Sequence, residues 1–210
     1  MNILVSGKGH FASQVIRGAA SISGVNVTHA SVPLEDARLG SLCSTLGVRV
    51  IPSGALNFDT MPDNIDLIVC AHSHDFIGDR TRIKSRFGGI GFHPSFLPLG
   101  RGRDSIRWSI KLGERLTGGT VYRLSNNVDG GDILAQEAVV VSRGETVSSL
   151  WRDKMQPLGV RLLLDVVSSH NSSGLVYGEA QDEGDSTWFP SMDSPPLFKP
   201  DLLGLPHLGE

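Results

Sequence analysis

The stretch Asn2-Ile3-Leu4-Val5-Ser6-Gly7-Lys8-Gly9-His10-Phe11-Ala12 decides how the rest of the chain is read. Residues 2–6 suit a short buried strand and Gly7-Lys8-Gly9 a tight turn, after which apolar residues recur at helical spacing from Phe11 to about Ile22. Strand, turn and helix in that order open an α/β unit. The alternation continues outward: residues 25–31 read as a strand, 34–46 as a helix and 48–52 as a third strand. The apolar run Ile65-Asp66-Leu67-Ile68-Val69-Cys70-Ala71 has strand length and suits a strand covered on both faces. With right-handed crossovers, this pattern predicts an α/β, Rossmann-like, mostly parallel twisted sheet with helices on both faces.

Further along, residues 76–87 predict a helix and 88–92 a short strand ending at His93. Residues 104–112 predict a helix stopped by Gly113, and 117–124 with 133–141 an antiparallel pair joined by the loop 125–132. Residues 146–170 predict a long amphipathic helix interrupted before Pro157. From Asn171 on, Ser, Gly, Asp and Pro dominate, around the aromatic island Thr187-Trp188-Phe189-Pro190. The expected organisation is one domain over residues 1–170 and an extended tail, 171–210, that packs on the domain or on a partner.

At 210 residues the chain can bury one good core, and a net charge of -3 argues against bulk nucleic-acid binding. The basic run Arg80, Arg82, Lys84, Arg86, Arg101, Arg103, Arg107, Lys111 and Arg115 faces either an anionic ligand or solvent. No charged leader and no apolar run of about 20 residues is seen, so a cytoplasmic protein with no membrane contact is expected. Cys43 and Cys70 lack zinc-ligand spacing; they read as buried thiols in a reducing compartment, and no metal is expected.

Three segments carry chemistry. Gly7-Lys8-Gly9-His10-Phe11-Ala12 matches the dinucleotide fingerprint, whose glycines let backbone approach a phosphate at a helix N-terminus. An NAD site also wants an acid about 20 positions on. The second strand instead ends in Val27-Thr28-His29-Ala30-Ser31, and the first acid, Glu35, follows a proline, which favours a tight turn or an anion cradle over nicotinamide binding. In Ile90-Gly91-Phe92-His93-Pro94-Ser95-Phe96-Leu97-Pro98, Pro94 holds His93 extended at a strand end, where open parallel sheets bind ligands. A lone histidine there is more often structural. Val128-Asp129-Gly130-Gly131-Asp132-Ile133 puts a carboxylate in a turn whose glycines permit positive φ. Such an Asp caps its own backbone unless it reaches an imidazole, whose tautomer it then fixes and whose basicity it raises.

In order, His93-Pro94-Ser95-Phe96-Leu97-Pro98, Arg101-Gly102, Thr117-Gly118-Gly119-Thr120-Val121 and Val128-Asp129-Gly130-Gly131-Asp132-Ile133 with Gln136 resemble the folate-dependent formyltransferases. That family includes phosphoribosylglycinamide, methionyl-tRNA and sugar N-formyltransferases and formyltetrahydrofolate deformylase. The resemblance covers Met1 to about Val141 and implies the formyltransferase fold, with 10-formyltetrahydrofolate giving its formyl group to a primary amine. It implies His93 and Asp129 as the catalytic pair. It further implies a pterin pocket lined by Ala71, His72, Ser73, His74, Phe76 and Ile77 with Asn126, Asn127, Val128 and Asp129. Gly7, Gly9, His10, Phe11, Pro94, Ser95, Arg101, Arg103 and Asp104 fall on the acceptor side, and Leu97–Pro98 falls where the family can carry a cis proline.

Two departures stand out. The family asparagine two residues before the histidine is Gly91 here, and losing an oxyanion donor costs on the order of 3–4 kcal/mol. His72 and His74 are candidate replacements. Tyr122 stands where purine-pathway relatives often carry histidine. The chain lacks the length for the C-terminal domain of methionyl-tRNA formyltransferases, so a small anionic amine, phosphorylated or nucleotide-linked, is the expected acceptor, and a homodimer is compatible with the sequence. A folate- or nucleotide-binding protein of the same fold without turnover, and a formyltetrahydrofolate hydrolase, stay open.

Overall fold

The structure, a computed structural model, describes residues 1–73 and 75–193. Its elements are β1 (Asn2–Gly7), α1 (Gly9–Ala20), β2 (Asn26–Val32), α2 (Ala37–Leu46), β3 (Arg49–Pro52), β4 (Leu67–Ala71) and the single turn α3 (Asp79–Arg82). There follow β5 (Gly89–His93), β6 (Arg101–Gly102), α4 (Ser105–Leu112), β7 (Leu116–Arg123) and β8 (Ile133–Val140). The short α5 (Val147–Ser149) passes through a π-helical segment (Leu150–Met155) into α6 (Gln156–Ser173), and β9 (Trp188–Phe189) comes last.

Seven strands form the main sheet in the order β3-β2-β1-β4-β5-β7-β8. The first five run parallel, while β7 pairs antiparallel with β5 and β8 antiparallel with β7. The strand order reverses between β1 and β4, the switch point at which such sheets open a crevice at their carboxyl ends.

Alternation along the strands sorts the core into two faces. Ile3 and Val5 of β1, Leu67 and Val69 of β4 and Ile90 of β5 join one apolar cluster with Phe11 and Ile16 of α1, Leu39 of α2 and Leu163 of α6. Leu4 and Ile68 point the other way, against Leu56, Met61, Ile65 and Ile77. On that second face the register aligns Ser31, Ser6, Cys70, Gly91 and Tyr122 as Cα partners in one row across β2, β1, β4, β5 and β7. This row of polar or side-chain-free positions, near the carboxyl ends of the parallel strands, is the floor of the site.

Two regions depart from the expectations. The helix foreseen over residues 76–87 shrinks to α3. Phe76 and Ile83 are 86% and 75% exposed, and the Arg86 and Phe87 amides donate to the Ile65 and Asp66 carbonyls instead of to a helical turn. Tertiary bonding to the strand start thus overrides a weak helical pattern. In the long C-terminal helix the interruption falls before Pro157 as a π-helical segment, consistent with a proline that supplies no N–H to the preceding turn.

After α6 the chain doubles back over the domain. Glu179 bridges to Ile133, and β9 pairs parallel with β6 in a separate two-stranded sheet. Among the described residues no helix is long and apolar enough to cross a membrane, and no group of three or more His, Cys, Asp or Glu residues could hold a metal ion.

Candidate active site

β5 delivers His93 at the carboxyl edge of the sheet, opposite Thr120 of β7. The turn that follows is tightly bound. The Thr120 hydroxyl donates to the Ser95 carbonyl (2.7 Å) and accepts from the Leu97 amide (3.3 Å), while the Gln136 amide donates to Thr120 Oγ1 (2.9 Å) and to the Leu97 carbonyl (2.8 Å). The Leu97–Pro98 bond is cis, as the resemblance suggests.

Asp129 enters from the loop between β7 and β8. The aspartate itself takes the left-handed conformation (φ 51°), and the two glycines after it do not, contrary to the sequence reading. Asp tolerates that region better than most residues. Gly131 is needed for another reason: a Cβ there would lie 1.8 Å from the Arg123 carbonyl oxygen.

The pair meets with Asp129 Oδ2 3.5 Å from His93 Nδ1, and both side chains are almost wholly buried. Asp129 Oδ2 also accepts from the Gly102 amide (2.8 Å), and its Oδ1 accepts from the Tyr122 hydroxyl (2.6 Å). His93 Nε2 lies 2.8 Å from the Gly100 carbonyl oxygen. Burial first, then the Asp129 charge and the hydrogen bond to it, hold the Tyr122 phenol well above its ordinary value of 10, so it keeps its proton at working pH. An imidazole against a hydrogen-bonded carboxylate is equipped to move protons and to donate to a developing oxyanion.

The two segments expected to line a pterin pocket lie together. Arg82 joins them, donating from one guanidinium nitrogen to the Ile77 carbonyl (2.6 Å) and from the other to Asn126 Oδ1 (2.8 Å). Ala71 ends β4 fully buried, His72 has a φ of 62°, and Ser73 Oγ lies 2.6 Å from Ser6 Oγ. Ile77 is buried, whereas Phe76 and Val128 stand exposed, and Asn127 sits in the exposed turn where its amide donates to the Ser125 hydroxyl. His74 lies outside the described residues.

Between these positions Asp75, which sequence reasoning passed over, organises the second face. Its carboxylate accepts from the hydroxyls of Ser6 (2.8 Å), Ser31 (2.5 Å) and Ser53 (3.1 Å) and from the Gly54 amide. Burial alone would raise it, but those four donors outweigh burial and hold Asp75 below the usual carboxylate range. No local motif announces this, because the donors come from three separate places in the chain, Ser6, Ser31 and the Ser53-Gly54 pair.

Gly9, His10 and Phe11 border a cleft of about 380 Å³ that Lys8, Glu35, Asp36, His72, Trp151 and Gln156 also line. Gly7 lines a neighbouring cleft with Lys8, Pro52 and Ser53. The Gly9 amide already donates to Asp36 Oδ2 (3.1 Å), so this turn holds a carboxylate of its own at the place where an anion cradle was anticipated.

The remaining residues expected on the acceptor side have partners within the chain. Arg101 is buried, makes a two-pronged ion pair with Glu183 (2.8 and 2.9 Å) and donates to Gln181 Oε1 (3.0 Å). The Arg103 amide donates to the Phe189 carbonyl, Asp104 Oδ2 accepts from the Met192 amide (2.9 Å), and Arg107 pairs with Asp193. The Pro94 carbonyl accepts from Ser105, and the Ser95 hydroxyl donates to the Leu99 carbonyl. For Arg101, Asp104 and Arg107 these side-chain partners come from the C-terminal segment. Gln181 also donates to the Asp129 and Gly131 carbonyls (both 2.7 Å), and Thr187 Oγ1 accepts from the Gly100 amide (2.7 Å). Residues after 173 therefore tie together the two loops that present His93 and Asp129. Only the aromatic island at residues 187–190 hinted at this in the sequence.

Fold and site geometry together define a Rossmann-like α/β protein with an imidazole–carboxylate pair at the carboxyl edge of its sheet. A family model described as formyl transferase matches residues 56–167, more than half of the chain, and the chain belongs to that family. Among solved structures it is similar to phosphoribosylglycinamide formyltransferase from Bacillus Halodurans (TM-score 0.69, 22% identity, covering 82% of this chain and 96% of that one). It is also similar to an N-formyltransferase from Helicobacter canadensis in complex with folinic acid and dTDP-3-aminofucose (TM-score 0.74, 15% identity, 91% of this chain and 71% of that one). A third likeness is to WlaRD, a sugar 3N-formyl transferase crystallised in the presence of dTDP and 5-N-formyl-THF (TM-score 0.75, 14% identity, 92% of this chain and 71% of that one). At these identities the structural likeness speaks for the fold.

Proposed function

We propose that the protein transfers the formyl group of 10-formyltetrahydrofolate to a primary amine on a small anionic acceptor, either phosphorylated or nucleotide-linked. The observation that carries this reading is the His93–Asp129 pair, 3.5 Å apart at the carboxyl edge of the sheet, beside the two loops that Arg82 joins. Relatives solved with folinic acid or 5-N-formyl-THF support a folate donor, and those named for ribonucleotide or dTDP-sugar acceptors support the acceptor class.

In the reaction the amine nitrogen bonds to the formyl carbon, and charge collects on the formyl oxygen. The bond from that carbon to the folate nitrogen then breaks, while the amine proton passes to the departing nitrogen. His93 donates to the charged oxygen and helps carry the proton, and Asp129 orients the ring. Nε2 is committed to the Gly100 carbonyl oxygen, so Nδ1, which lies 3.5 Å from Asp129 Oδ2, is the ring nitrogen left for the reacting groups. On this reading the protein works in the cytoplasm, as a monomer or homodimer, with no membrane partner and no bulk nucleic-acid partner.

One observation favours binding without turnover: Gly91 supplies no side-chain donor, and His93 Nε2 is already held by the Gly100 carbonyl oxygen. Incubation with 10-formyltetrahydrofolate and either glycinamide ribonucleotide or dTDP-3-aminofucose separates the readings. Tetrahydrofolate release with a gain of one formyl mass on the acceptor supports transfer. Free formate indicates hydrolysis, and folate binding with neither product supports the binding protein. A fully active His93→Ala protein would overturn the mechanism.

A further inference from the structure

We propose that Tyr122 is a positioning residue of this site: its phenol anchors the carboxylate that faces His93, and Gly91 is the vacancy in β5 that lets the phenol lie there. This rests on the transferase reading above, and it accounts for a glycine two residues before His93.

Gly91 and Tyr122 are direct partners across the antiparallel β5–β7 pair, so both lie on the face that carries His93, two residues on from Gly91. A Cβ built on Gly91 would stand 3.3 Å from both the Tyr122 hydroxyl and its Cε1, and 3.2 Å from Leu124 Cδ2. Space that a side chain at position 91 would enter is therefore filled from the neighbouring strand. The hydroxyl then reaches Asp129 Oδ1 at 2.6 Å, leaving Oδ2 for the Gly102 amide and the imidazole. A carboxylate bound at both oxygens by separate donors has one orientation, and that orientation aims Oδ2 at His93. The titratable groups facing the phenol are Asp129 and, from β4, Cys70, with His93 beyond the carboxylate. Because the phenol stays protonated, it serves as a neutral donor throughout and takes no proton from the reaction.

Turnover and a spectroscopic titration together test this on the full chain. Tyr122→Phe should lower kcat about 10-fold or more with 10-formyltetrahydrofolate and the acceptors above, at nearly constant KM for the folate, because the phenol acts through the orientation of Asp129 and not on the folate itself. Gly91→Ala should cut kcat in the same way, and the double variant should be no slower than the slower single one, since both changes break the same contact. In a Tyr177→Phe background Tyr122 is the sole tyrosine, and its ultraviolet titration reports the contact directly. Adding Asp129→Asn should lower that midpoint, since it removes the carboxylate charge beside the phenol.

Wild-type kcat in Tyr122→Phe, fully additive losses in the double variant, or a midpoint indifferent to Asp129→Asn would each overturn the assignment. Absence of transfer by the parent protein would count against the transferase reading alone. The titration would still decide whether Tyr122 and Asp129 are coupled.

Discussion

Asp75 and Asp129 sit in different loops near the carboxyl ends of one sheet, at opposite ends of the same polar row, and they are held in opposite ways. Asp75 is saturated: three serine hydroxyls and a backbone amide converge on it, all of them neutral donors. Asp129 has two neutral donors, Tyr122 and the Gly102 amide, and turns its remaining capacity to an imidazole. A carboxylate surrounded by fixed neutral donors is locked in charge and place, so it can act as a rivet between strand ends. One that shares a titratable neighbour can answer a change of charge beside it, as proton transfer requires.

The largest effect should come from the responsive end. His93→Ala or Asp129→Asn should reduce turnover by roughly 10²–10⁴-fold, read as tetrahydrofolate release, with unchanged far-ultraviolet circular dichroism. Loss of less than about 10-fold from both would erase the distinction between the two carboxylates.

Next in size is the strap that holds the His93 and Asp129 loops together. Glu183→Ala strands the buried Arg101 guanidinium, and because Glu183 itself is half exposed the loss should be about 2 kcal/mol, measured by denaturant unfolding. Turnover should fall with it, since Gln181 and Thr187 lie on the same segment.

Asp75→Asn should cost about 1–2 kcal/mol of stability while leaving kcat within a few-fold of the parent, the pattern of a rivet. Its pH dependence sharpens the contrast. The folded protein holds Asp75 below its ordinary value, so the stability it contributes is complete above the unfolded carboxylate range, near 4, and is lost as pH falls toward the folded value. Wild type should therefore lose stability on acidification more steeply than Asp75→Asn.

The smallest effect concerns the middle of the row. Cys70 is only partly buried, yet desolvation first, then the nearby Asp75 charge, push its thiol up to about 12 despite a hydrogen bond with Ser73. Folded protein at pH 8 should leave Cys70 unmodified by a thiol reagent on a timescale that labels the unfolded chain, and Asp75→Asn should change this little, because burial dominates.

Much of this molecule is legible in single segments. The opening strand, turn and helix, the apolar run before Ala71 and the proline-bounded His93 each declare their geometry through local spacing, and the ordered motifs from residue 93 to 136 carry the family resemblance. Residues 76–87 misled because Phe76 and Ile83 have helical spacing but no surface to cover. The glycines of the Asp129 turn suggested positive φ in themselves, whereas the aspartate takes it and Gly131 serves to clear the Arg123 carbonyl.

By itself the amino-acid order determined the strand-and-helix alternation, the extended His93 and the set of candidate residues, because side-chain period and proline stereochemistry act over a few neighbouring positions. Tertiary structure alone decided which groups meet: Tyr122 beneath the space over Gly91, three serines from separate loops and strands around Asp75, and a C-terminal segment occupying the arginine first assigned to a ligand. Those pairings depend on strand order and register, which bring together residues dozens of positions apart, and no local periodicity encodes such distances.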